Sequence, residues 1–261
     1  MLVRPHTVLA GGTDFFPARV GRAIEEDVLD IGGIDALRGI SVDAGGWRLG
    51  ATTTWSDLIE ADLPPLFDGL KQAAREIGGR QIQNAGTLAG NLCNASPAAD
   101  GVPGLMALDA EIELASRSGI RRLPLAAFIT GNRRTALKPG ELLVAIHIPR
   151  PVHDARSAFL KLGARRYLVI SIAMAAATIE IVERRIAAAR IAVGACSVVA
   201  QRLPALEAVL VGAALDGRLG DCVDRSHLAP LTPIDDIRGS AAYRRDAVLI
   251  LLRRLLLEFA S

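Results

Sequence analysis

Residues 77–100 read IGGRQIQNAGTLAGNLCNASPAAD, a run with almost no bulk. Gly78, Gly79, Gly86 and Gly90 stand among Asn84, Thr87, Asn91, Asn94, Ser96 and Asp100. Glycine lets a backbone approach a ligand closely and lets peptide N–H groups face outward. In a chain that is 51% hydrophobic, such a run reads as a looped cradle for a ligand rather than a connector. Its GTLAGN segment sets a glycine at one end, a hydroxyl at Thr87 and an amide at Asn91. A long surface loop shares this composition and stays open as the alternative. A second piece of the same character, AGGTDFFP at 10–17, follows a short apolar strand. Alone it could be a plain strand-end turn. Its Gly11, Gly12 and Thr13 amides could also contact a pyrophosphate, and the two segments could converge on one phosphate-bearing ligand.

Composition excludes several classes. Net charge is +2, and arginine and acidic residues are interspersed, so there is no basic stripe for nucleic acid. Aromatics make up 4%, too few for a base-stacking surface. Cys93, Cys196 and Cys222 are far apart. A thiolate-held iron–sulfur cluster needs four such ligands, and disulfide stapling is equally unsupported. The four histidines show no metal-ligand spacing. The longest apolar stretch, 168–182, is broken by Glu180 and too short for a membrane span. No leader is visible, and the expectation is a cytoplasmic protein without metal or catalytic triad.

Strands are predicted at 8–10, 27–31 and 47–50. Thr54 or Ser56 caps a helix beginning near Asp57, which Pro64-Pro65 ends, and 66–77 forms the next helix. A buried helix follows at 102–108, then strands at 110–116, 121–125 and 142–148. Pro149 and Pro151 stop the last of these, and a domain boundary is set at about Pro151. Beyond it, 157–162 and 171–177 are strands or buried segments. Residues 178–182 and 186–193 form a hairpin around Glu183-Arg184-Arg185. Helices are expected at 203–211 and 241–259. Strands and helices without strict βαβ alternation indicate an α+β fold.

LAGGTDFFP at 9–17 and the whole run 77–100 together resemble the flavin-binding medium subunit of the molybdenum hydroxylase family, of xanthine dehydrogenase and carbon monoxide dehydrogenase type. The resemblance continues through LMALDAEIEL, GELLVAIHIP and FLKLGARRYLVISIA. It implies a PCMH/VAO-like FAD-binding domain over 1–150, with subdomains at about 1–50 and 51–150. A smaller C-terminal domain, 151–261, would hold an antiparallel three-stranded sheet and helices. The FAD would be non-covalent. Ala10, Gly11, Gly12, Thr13 and Asp14 would line its pyrophosphate side, and Thr87, Gly90 and Asn91 the second wall. Asp100 would bind the polar chain or ring edge, although it could equally cap the helix that follows. Leu143 would pack near the ring, and Lys161 would favour the reduced, anionic form by its charge.

By the same resemblance, molybdopterin and [2Fe-2S] clusters belong to a large and a small partner subunit. Electrons from the clusters would pass through FAD to NAD+ or a quinone-like acceptor. The residues themselves leave open a flavin-free assembly subunit and a free-standing flavin reductase. Two departures stand out. Family members carry a strand and a helix ahead of AGGTD, whereas this chain begins MLVRPHTVLAGGTD. Ala89 replaces the first glycine of the family's GTIGGN, a methyl that matters wherever the backbone needs positive φ.

Overall fold

The computed structural model describes residues 6–260. A two-stranded parallel sheet comes first, β1 (His6–Leu9) beside β2 (Asp27–Asp30). The hairpin β3 (Ile40–Asp43) and β4 (Gly46–Gly50) follows. Helix α1 (Trp55–Glu60) starts at Thr54, whose hydroxyl accepts the Asp57 amide while the Asp57 carboxylate accepts the Thr54 amide. This reciprocal cap satisfies two donors that a helix start leaves unpaired. Helix α2 (Asp68–Glu76) follows a tight 3-10 turn over Pro65–Phe67.

The glycine-rich run, expected as a loop, is largely helical. It forms α3 (Arg80–Ala85) and α4 (Leu88–Asn94), with Gly79 and Gly86 at the two ends of α3. Thr87 caps α4 by accepting the Gly90 amide, and Ala95 ends it in the left-handed region at φ 47°. The bulk that α4 buries comes chiefly from Leu88 and Leu92, one turn apart. Small residues elsewhere hide the helical period.

Helix α5 (Gly101–Ala107) is buried throughout. The strands β5 (Glu111–Ser116) and β6 (Gly119–Pro124), the turn of helix α6 (Leu125–Phe128), the small hairpin β7 (Ile129–Gly131) and β8 (Arg134–Thr135), and β9 (Leu142–Pro149) complete this half. Five strands form one antiparallel sheet in the order β3-β4-β9-β5-β6. Leu49, Ile112, Leu114 and Ile146 from it share a core with Trp55, Leu70, Leu88, Leu92 and Leu105.

The second half holds β10 (Asp154–Leu162), β11 (Ala173–Val182), β12 (Arg185–Gly194) and the two-residue β13 (Gln201–Arg202), paired antiparallel in that order. The expected antiparallel three-stranded sheet is thus present as three long strands, extended at one edge by β13. Glu183 and Arg184, at φ 48° and 58°, make the two-residue turn whose left-handed backbone matches the twist of a hairpin. Helices α7 (Pro204–Leu210) and α8 (Ala241–Leu257) cover one face. Among the described residues no helix is long and apolar enough to cross a membrane.

Strand β11 explains how the two halves meet. Its Met174 and Ala176 belong to the first core, while Ala173, Ala175, Ala177 and Ile179 belong to the second. Alternate residues of a strand point to opposite faces, so this sheet is buried on both. That is why the sequence there is a run of small apolar residues without polar alternation. Strand β10 is seated on α2 in the same matched fashion. Ser157 donates to the Leu66 carbonyl at 2.6 Å and accepts the Gly69 amide at 2.8 Å. The Phe159 amide donates to Gln72 at 2.7 Å, and Lys161 to the Glu76 carbonyl at 3.3 Å. Every second residue of the strand thereby meets successive turns of the helix.

Candidate functional site

The AGGTD segment leaves β1 and lies backbone against backbone on the end of α3. A Cβ at Gly11 would stand 1.8 Å from the Ala85 carbonyl oxygen and 3.0 Å from Gly86 Cα, so only glycine permits this approach. Gly12 then turns the chain at φ +70°. The amides of Gly11, Gly12 and Thr13 find no acceptor among the described residues.

The opposite wall is the turn into α4. It is stitched to the start of α1: Trp55 donates to the Gly86 carbonyl at 3.1 Å, and Leu88 to the Thr53 carbonyl at 3.0 Å. Asn91 Oδ1 is buried and has no hydrogen-bond partner among the described residues, an unusual state for a buried amide oxygen.

Between the two walls runs a cleft of about 500 Å³. Ala10, Gly11, Gly12, Thr13, Asp14, Thr87, Gly90, Asn91 and Leu143 all line it. Ala89 lines it too, inside helix α4 and outside the positive-φ region. Its methyl therefore brings no backbone strain.

Asp100 and Lys161 are not among the lining residues. They form a buried ion pair at 2.6 Å, and Ser171 donates to the other carboxylate oxygen at 2.5 Å. Burial pushes the Asp100 carboxyl above its ordinary range, against the pull of Lys161 and Ser171. Asp100 occupies the N-cap position of α5 but makes no capping bond. Its carboxylate instead ties α5 to β10 and to the segment entering β11.

Sequence reasoning missed the apolar floor, to which Ile31, Ala51, Trp55, Ile77, Ile82 and Leu137 contribute. These residues carry no mark separating cleft lining from core. Glu141 and Cys93 were missed as well. Arg121 grips Glu141 with two hydrogen bonds, 2.6 and 2.7 Å, holding its carboxyl down at about 2. Cys93 is an exposed free thiol at the edge of the cleft.

Residues 4–151 match the family described as the FAD binding domain in molybdopterin dehydrogenase, and residues 158–259 the CO dehydrogenase flavoprotein C-terminal domain. The chain is an FAD-binding medium subunit of the molybdenum hydroxylase family. The putative xanthine dehydrogenase FAD-binding subunit of Escherichia coli K12 is 30% identical over 255 residues, covering 96% of this chain and 87% of that protein. The carbon monoxide dehydrogenase medium chain of Afipia carboxidovorans is 34% identical over 251 residues, covering 94% and 86%. In structure, the medium subunit resembles a chain of reconstituted CO dehydrogenase from Oligotropha carboxidovorans. The TM-score is 0.88 at 30% identity, over 98% of this chain and 90% of the other. These relatives place the chain among oxidoreductase subunits. They also agree with the α+β arrangement of an FAD-binding domain followed by a flavoprotein C-terminal domain.

Proposed function

We propose that this subunit holds FAD non-covalently in the cleft between the AGGTD segment and α4. There it would relay electrons from [2Fe-2S] clusters of a small partner subunit to NAD+ or a quinone-like acceptor. A molybdopterin-bearing large subunit would carry the substrate oxidation, and the complex would work in the cytoplasm. The observation that carries the reading is the pairing of unclaimed donors with a glycine-only approach. The Gly11, Gly12 and Thr13 amides find no acceptor among the described residues, the arrangement a diphosphate needs. The orphaned Asn91 Oδ1 suits a ligand N–H or hydroxyl, and the floor of Ile31, Ala51, Trp55 and Leu143 suits an apolar ring system. FAD supplies the redox chemistry when bound. The chain's own residues bind it, orient it and shield one side from water.

Residue by residue, Ala10, Gly11, Gly12, Thr13 and Asp14 are assigned to the diphosphate side, Thr87, Gly90 and Asn91 to the facing wall, and Leu143 to the ring. Asp100 is assigned to the flavin's polar chain or ring edge and Lys161 to a position near the flavin, although the two are paired with each other outside the cleft lining. On the same reading the units divide at about Pro151, the last residue of the first matched region. Titration of the purified chain with FAD tests the reading. Quenched flavin fluorescence and a shifted visible absorbance are expected. A chain that stays colourless in excess FAD sinks it and leaves a flavin-free assembly role.

A further inference from the structure

Asp14 places a carboxylate on the very segment whose amides find no acceptor among the described residues. Two acidic residues line the cleft, Asp14 and Glu141, and each is countered by an arginine from outside the lining. Arg121 holds Glu141. Arg133 holds Asp14, Nη1 to Oδ2 at 3.0 Å. Among the described residues the lining's own cation is Arg19, which is engaged by Glu26 and stacked on Phe15. Arg133 sits in the turn between β7 and β8 with φ 55°. Its amide donates to the Ala95 carbonyl at 2.9 Å, and its Nη1 also donates to the Asn94 side chain and, at 3.4 Å, to the Asn94 carbonyl. One guanidinium thus covers a group of acceptor oxygens at the mouth of the cleft, oxygens that would otherwise face an anionic ligand.

We infer that Arg133 is a positioning residue for the anionic ligand. By neutralising Asp14 it allows the AGGTD amides to accept a diphosphate, although it sits 119 residues away in sequence. This rests on the FAD reading above. The two side chains are 52% and 58% exposed, so the effect is that of a screened surface pair, a factor of about three to five in affinity at low ionic strength.

The test is a set of FAD dissociation constants, read by flavin fluorescence at low and high salt, on the parent chain, R133M, R133K, D14N and the double variant D14N/R133M. Far-UV circular dichroism confirms that each is folded. R133M is expected to bind about threefold to fivefold more weakly at low salt, with the deficit fading at high salt. R133K is expected near the parent, D14N tighter than it, and the double variant restored relative to R133M. Equal affinity of R133M and parent at low salt overturns the inference. So does a double variant as weak as R133M, which would make the role of Arg133 mechanical, through Asn94. Should R133M not fold, D14N decides alone: weaker binding by D14N overturns the charge argument. A parent chain that binds no FAD overturns the functional reading and this inference together. With a parent that binds normally, a failure among the variants counts against the role of Arg133 and leaves the FAD site standing.

Discussion

Gly11 carries the sharpest single-residue constraint in the cleft. The obstacle a methyl would meet is the Ala85 carbonyl, at 1.8 Å, which is backbone and cannot swing aside. Gly11→Ala is therefore expected to lift the AGGTD segment off α3. FAD affinity, read by titration, should fall at least tenfold while circular dichroism stays close to the parent, a loss of about 1.4 kcal/mol or more of binding energy. Glu141 permits a prediction about acid. Arg121 holds its carboxyl at about 2, below the ordinary 4.5. A carboxyl depressed by folding adds stability above its ordinary range, and that contribution is lost as pH falls toward the folded value. Urea unfolding should show Glu141→Gln destabilised at pH 6, with the gap to the parent narrowing at pH 3. A gap that widens in acid would contradict the pairing.

Among the elements, α4 is where the wall of the cleft and local folding coincide. Thr87 caps it through the Gly90 amide at 3.0 Å. Thr87→Ala is expected to cost about 1 kcal/mol of unfolding free energy. It also frees the Gly90 amide beside the cleft, so denaturant stability and FAD affinity should both change. This helix shows where the sequence was hard to read. Thr54 as a cap, the hairpin around Glu183 and Arg184, and α8 were legible because capping chemistry, turn chemistry and a wide apolar stripe each leave a local mark. Helices α3 and α4 were not, because glycine, alanine and asparagine dilute the period to Ile82, Leu88 and Leu92. The polar and glycine residues of the cleft could be picked out by type. Trp55 and Leu137 could not, since an apolar residue beside a ligand looks like any core residue. Asp100 stood out as a polar group and Lys161 through the family resemblance, but only the fold shows that they face each other across the two halves.

For the molecule as a whole, the shared sheet predicts cooperative unfolding. Trp47 and Trp55, the two tryptophans of the chain, both belong to the first half and report on it alone. Yet β11 contributes alternate side chains to both cores, so the halves should melt together. Leu252→Ala, deep in the second core, is expected to cost about 2–5 kcal/mol. It should lower the midpoint seen by tryptophan fluorescence as much as that seen by circular dichroism. An unmoved tryptophan transition would mean that the halves unfold separately.

The seam between β10 and α2 bears on modularity. β10 is the first edge of its sheet, and its Phe159 amide is satisfied by a glutamine from the other half. Severed near Pro151, the C-terminal piece would bare that edge together with the face that Met174 and Ala176 now bury, the kind of open strand that recruits other chains. The two pieces are recognisable as separate families in sequence, yet the second is built to be finished by the first. A genetic fusion or swap that exchanges the C-terminal unit between relatives should stay soluble only if α2 travels with it.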